Sequence, residues 1–124
     1  PFNDNNFDIV SISFGLRNIT YKSIALNEIF RVLKPGGRFM CLEFSKVNVS
    51  VLNRFYQIWS SNVIPALGAK ISGQKENYEY LIESIKRFPD QNELSSLISS
   101  SNFISVKHRN LSGGIAAIHS GWKI

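Results

Sequence analysis

Residues 7 to 44 constrain the fold more than any other stretch of the chain. Phe7 to Ser13 is a short apolar run containing Ile9, Val10 and Ile12. A run this short and this continuous reads as a strand buried on both faces. The loop Phe14-Gly15-Leu16-Arg17-Asn18 follows it. Thr20 is then placed to cap a helix from Tyr21 to Leu33. Leu26, Phe30 and Leu33, or Ala25, Ile29 and Val32, form its apolar stripe. Lys34-Pro35-Gly36-Gly37 stops that helix, because Gly accepts a left-handed cap and Pro cannot continue the helix. Phe39 to Phe44 is a second apolar run. Strand, helix and strand joined by short loops imply a right-handed crossover and a parallel sheet.

The middle reads as helical. Ser50 to Val63 carries Leu52, Phe55, Tyr56, Trp59 and Val63 on one face, and Pro65 and Gly68 end it. Gly68 to Lys75 reads as a loop. Glu76 to Lys86 places Tyr78, Leu81, Ile82 and Ile85 at helical spacing. Asp90 and Glu93 have capping-box spacing, with Asp in place of Ser or Thr. They open a third helix carrying Leu94, Leu97 and Ile98. Ser105 to Leu111 and Ile115 to Trp122 read as strands joined at Ser112-Gly113-Gly114, a hairpin. A parallel sheet that ends in a hairpin has an antiparallel strand at or near its edge.

The 124 residues suit one domain or part of one. No apolar run approaches the roughly 20 residues needed to cross a bilayer. One cysteine, Cys41, excludes an internal disulfide framework and fits a reducing compartment. The net charge of +5 favours anionic partners, but no run of Lys and Arg marks a nucleic-acid face. His108 and His119 lie on separate strands without further ligands at metal spacing, so no metal site is expected.

Ile12-Ser13-Phe14-Gly15-Leu16-Arg17-Asn18 and Arg31-Val32-Leu33-Lys34-Pro35-Gly36-Gly37-Arg38-Phe39, with Leu42-Glu43-Phe44-Ser45-Lys46 beyond, resemble the ubiquinone/menaquinone biosynthesis C-methyltransferases. So do Tyr78-Glu79-Tyr80-Leu81-Ile82-Glu83-Ser84-Ile85, Phe88-Pro89-Asp90-Gln91, and the stretch from Asn110 to His119. A helix ending in Leu-Lys-Pro-Gly-Gly is common among methyltransferases of this fold. The Ser-Phe-Gly-Leu-Arg-Asn block and the Leu-Glu-Phe-Ser-Lys continuation are much narrower.

The resemblance implies an α/β fold, the C-terminal portion of a class I S-adenosylmethionine-dependent methyltransferase. Its parallel strands would be joined by a terminal hairpin and a lid-like helical insertion over about residues 47–88. Residues 1–124 would form a single partial domain. The Gly-rich cofactor loop and the ribose-binding acid of the family are not in these residues, so a fragment is expected. It would bind S-adenosylmethionine poorly alone, and the open edge of its first strand would favour dimers or aggregates. A lipid quinol would be the substrate. The location would be cytoplasmic, peripheral to the inner membrane, or on the mitochondrial matrix face in a eukaryote. Another class I methyltransferase, acting on a small molecule or RNA, is the competing reading. A non-catalytic partner in a quinone-synthesis assembly is the third.

The resemblance also assigns roles. Ser13, Phe14 and Gly15 would contact the cofactor. Arg17 and Asn18 would be catalytic, with Arg17 stabilising a phenolate or orienting a water. Glu43, Trp59, Tyr78 and Tyr80 would bind substrate, the aromatic residues lining a groove for a polyprenyl tail. Each has a plainer alternative: Arg17 a surface charge, Asn18 a turn residue, Glu43 a partner of Lys46 or Arg38, and the aromatic residues core. Against an idle Arg17, a positive charge just before a helix costs about 0.3–1 kcal/mol. Cys41 reads as a packed core thiol and His119 as an ordinary strand histidine.

Overall fold

Strand β1 (Phe7–Ser13) runs parallel to β2 (Leu33–Phe44), and helix α1 (Lys22–Val32) links them. The computed structural model describes residues 1–45 and 75–124, with backbone alone for 75–78, 81 and 82. Its later elements are α2 (Lys75–Arg87), α3 (Gln91–Ser100), β3 (Ile104–Leu111) and β4 (Ala116–Trp122). The sheet order is β1-β2-β4-β3. β4 is antiparallel to both its neighbours, so β3 points the same way as β1 and β2. The expected antiparallel strand therefore lies one in from the edge.

Register decides which side chains share a face. Val10 and Ile12 pair with Phe39 and Cys41. Cys41 and Phe39 pair in turn with His119 and Gly121. This face is covered by α1 and α3, which touch each other. Leu16, Leu26, Leu33, Phe39, Cys41, Phe88, Leu94, Ile98 and Phe103 make its core. Phe103 meets Phe30 edge-on at 5.2 Å and lies 5.5 Å from Phe39. Gly121 permits this packing, because a Cβ there would stand 3.0 Å from that of Phe103.

β1 departs from the expectation of burial on both faces. Ile9 is 62% exposed, and Asp8, Ser11 and Ser13 are exposed as well. The cause is position: β1 has one strand neighbour among the described residues, and both helices that pack on the core lie on the opposite face from Ile9.

Two further expectations shift. Helix α1 starts at Lys22 rather than Tyr21, with Tyr21 as the N-cap and no side-chain cap, so Thr20 does not cap it. Leu33 is already extended and begins β2. The register jumps from Phe7–Leu33 to Ile9–Arg38, so Lys34-Pro35-Gly36-Gly37 is looped out of the ladder. Gly36 supplies the φ of 85° at that irregularity. Asp90 does cap α3, its carboxylate accepting from the Glu93 N–H at 2.8 Å. The expected helix over Ser50 to Val63, the loop before Lys75 and most of the lid-like insertion lie outside the described residues. Among the described residues no helix is long and apolar enough to cross a membrane.

Candidate functional site at the carboxyl ends of the strands

Because β1 and β2 are parallel, their carboxyl ends fall on one edge of the sheet. In open α/β sheets that edge is where ligands sit. The chain turns there after Ser13. Phe14 takes φ 56°, a left-handed conformation that is unfavourable for a bulky residue. Its N–H is held by the Leu42 carbonyl at 2.8 Å, and its ring lies 4.8 Å from that of Phe44. Strained backbone of this kind gathers at functional sites. Ser13 and Phe14 are exposed and Gly15 is half-buried. A Cβ on Gly15 would meet only the Ser13 carbonyl, at 4.0 Å.

A single turn of 3-10 helix, Leu16–Asn18, follows. Leu16 is buried in the core and anchors the turn. Arg17 then points back across the strand ends to Glu43. Its Nη1 donates to Glu43 Oε1 at 2.9 Å and to the Phe14 carbonyl at 2.6 Å. The Arg17 backbone N–H donates to Glu43 Oε2 at 3.2 Å, and the Phe44 N–H donates to Oε1 at 2.9 Å. Glu43 is 1% exposed, so a buried carboxylate fixes both the side chain and the backbone of Arg17. The guanidinium also lies over the Phe44 ring, 5.5 Å from its centroid. Its Nε is buried with no hydrogen-bond partner.

Glu43 is thus paired with Arg17 and not with Arg38, and Lys46 lies outside the described residues. Arg38 instead stacks over Trp122 at 5.0 Å. Helix α2 rests against the Leu16–Asn18 turn. Tyr80 on α2 donates its hydroxyl to Asn18 Oδ1 at 3.0 Å. A polar cavity of about 260 Å³ opens between them, walled by Arg17, Asn18, Tyr80 and Ser84. Arg17, Asn18, Glu43 and Tyr80 therefore come together, with Ser13, Phe14 and Gly15 beside them. Trp59 and the Tyr78 side chain lie outside the described residues.

Lys22, Ser84 and Arg87 also line the cavity, and sequence reasoning did not single them out. No local signal marks them, since the cavity exists only once α2 meets the turn.

Cys41 and His119 stand apart from this edge. Burial, and next the nearby Glu43 carboxylate, push the Cys41 thiol up to about 12, so it stays protonated. His119 is 1% exposed. Its Nε2–H donates to the Gln91 carbonyl at 3.0 Å, and its Nδ1 has no partner. Burial lowers its pKa, which fits a neutral ring. Among the described residues no three His, Cys, Asp or Glu side chains group as a metal site.

The chain is 55% identical to the ubiquinone/menaquinone biosynthesis C-methyltransferase UbiE of Ruegeria sp. (strain TM1040), over 100% of this chain and 50% of that protein. It is 51% identical to the protein of the same name from Brucella canis, over 100% of this chain and 46% of that one. The chain thus spans about half the length of these curated relatives. Among solved structures, a Thermotoga maritima SAM-dependent methyltransferase, a possible histamine N-methyltransferase, superposes with a TM-score of 0.68 at 20% identity. The match covers 100% of this chain and 59% of that one. Haemonchus contortus phosphoethanolamine N-methyltransferase 2, in complex with S-adenosyl-L-methionine, gives 0.62 at 12% identity, over 99% and 34%. The fold is that of the S-adenosylmethionine-dependent methyltransferases, and this chain is a portion of it. A family model matches residues 1–123, and the chain belongs to the ubiE/COQ5 methyltransferase family.

Proposed function

We propose that this chain forms the substrate-facing half of an S-adenosylmethionine-dependent C-methyltransferase that methylates a lipid quinol in ubiquinone or menaquinone biosynthesis. The observation that carries the reading is the Arg17–Glu43 pair at the ligand edge of the sheet. The relatives' names supply the substrate class.

The residues present fit part of a cofactor site. The exposed surface of Ser13 and Phe14, with open space at Gly15, offers one wall. Among the described residues no unpaired carboxylate stands there to hold ribose hydroxyls, since Glu43 is engaged by Arg17. S-adenosylmethionine, when bound, supplies a methyl group already activated on a sulfonium. The remaining task is to make the ring carbon nucleophilic and to hold it in line.

Arg17 serves the first need. A quinol hydroxyl that loses its proton pushes charge onto the ring, and a fixed guanidinium stabilises that phenolate. The Glu43 carboxylate prevents Arg17 from swinging into solvent. Asn18 and Tyr80 form a polar lip beside it that orients a hydroxyl or a water. The ring carbon gains the methyl, and the displaced ring proton leaves to water as aromaticity returns. Phe14, Phe44 and the aromatic residues of the insertion suit the apolar remainder of the substrate.

The test is methyl transfer by the full-length protein to demethylmenaquinol and to a polyprenyl methoxybenzoquinol. Methylation at ring carbon of at least one supports the reading. Transfer only to oxygen, nitrogen or RNA would replace it.

A further inference from the structure

We propose that the cavity between the start of α1 and helix α2 binds a phosphate group. It is lined by Arg17, Thr20, Lys22, Tyr80, Ser84 and Arg87, among others, and no aspartate or glutamate lines it among the described residues. Two other cavities differ on this point: the one at the edge of β1 includes Glu28, and the one near Lys123 includes Asp4.

The charge balance follows from the contacts. Arg17 is already matched by Glu43. Lys22 and Arg87 form no ion pair among the described residues. Lys22 is held in place rather than free. Its Nζ donates to the Ile19 carbonyl at 2.9 Å and lies 5.6 Å from the centre of the Phe88 ring. Two of its three N–H donors remain. Among the described residues Arg87 uses only Nε, toward the Glu83 carbonyl at 3.4 Å. Its two terminal nitrogens remain for a bidentate grip on paired oxygens. Thr20 adds a hydroxyl. Among the described residues, two cations outside any ion pair, the Thr20 hydroxyl and no acid make a setting that favours a tetrahedral oxyanion.

The cavity shares Arg17, Asn18 and Tyr80 with the proposed chemistry, but the inference rests on Lys22 and Arg87, which have no part in it. The phosphate has two possible sources, a phospholipid headgroup at a membrane surface or a free phosphate ester.

Inorganic phosphate is titrated into the full-length protein by calorimetry, and into two double variants. The expected result is saturable binding that weakens at least tenfold in Lys22→Gln/Arg87→Gln. It is unchanged in Lys107→Gln/Arg109→Gln, which removes the same charge from exposed positions on β3. If the Lys22 change unsettles Phe88 and lowers the melting temperature, Arg87→Gln alone still weakens binding severalfold, since Arg87 is exposed. Sedimentation with vesicles of phosphatidic acid in phosphatidylcholine, against phosphatidylcholine alone, separates the sources. Retention lost in the first variant names a lipid headgroup. Phosphate binding without retention names a free ester. Binding that does not saturate, or that falls equally in both double variants, overturns the proposal.

Discussion

Arg17 and Glu43, 26 residues apart, meet at 2.9 Å across the carboxyl ends of two neighbouring parallel strands. Glu43 is almost wholly buried and accepts from three donors. The pair fixes the geometry of the loop that carries Asn18. A buried ion pair contributes little net stability, yet removing one partner strands the other charge.

Arg17→Ala leaves the Glu43 carboxylate buried and unpaired. Chemical denaturation is expected to show a loss of about 3–5 kcal/mol. Glu43→Gln keeps the shape and several hydrogen bonds, so it is expected to fold. In the full-length enzyme kcat then falls on the order of 10²-fold, because a misplaced guanidinium no longer meets the developing charge. Unchanged kcat in Glu43→Gln would reduce the pair to a structural clasp.

Stability is expected to fall on acidification through His119. Its folded-state pKa lies below the ordinary value of 6.5, chiefly through burial. The unfolded chain therefore takes up a proton first. The stability present above about pH 6.5 is lost as pH falls toward the depressed folded value. The slope is at most about 1.4 kcal/mol per pH unit for one proton. Replacing His119 with Gln is expected to flatten the profile between pH 7 and 5. A profile as steep as that of the parent would assign the effect to other groups.

Tyr80→Phe removes the 3.0 Å bond to Asn18 from an exposed side chain. Stability is expected to change by less than about 0.5 kcal/mol. The KM for the quinol is expected to rise severalfold, since α2 no longer registers on the Asn18 turn. Kinetics of the full-length enzyme with each variant distinguish this from a silent surface change.

β1 presents an edge without a strand partner among the described residues, and Ile9 is exposed beside it. Such an edge recruits another strand. In isolation this chain is expected to self-associate with rising concentration, and Ile9→Lys to reduce that association. Light scattering showing a concentration-independent monomer for the parent would contradict it.

Much of this was legible in local chemistry. Leu26 and Phe30 of one expected stripe and Ile29 of the other pack on the core in α1, as Leu94 and Ile98 do in α3, because helical periodicity reports a buried face directly. Asp90 at capping spacing foretold the start of α3. The residues of the Ser-Phe-Gly-Leu-Arg-Asn block fell at the ligand edge because a parallel sheet puts every β–α loop there. Three things were not legible. The exposure of Ile9 depends on which layers surround β1, and its apolar run reads the same either way. Thr20 carries the right side chain for a cap, but the backbone places Tyr21 at that position. The partner of Glu43 was set by register: Arg17 lies across the sheet edge, whereas Arg38, nearer in sequence, stacks on Trp122.

The central claim is that cofactor binding is divided between this chain and N-terminal residues of a whole protein as long as the relatives it half covers. Calorimetric titration with S-adenosylmethionine tests it most directly, on this chain and on one extended at its N-terminal side to the length of those relatives. Saturable binding to the extended chain, with none to the short one, is the expected result. Tight binding to the short chain alone would contradict it, since Ser13, Phe14 and Gly15 would then be one edge of a site that these residues complete by themselves.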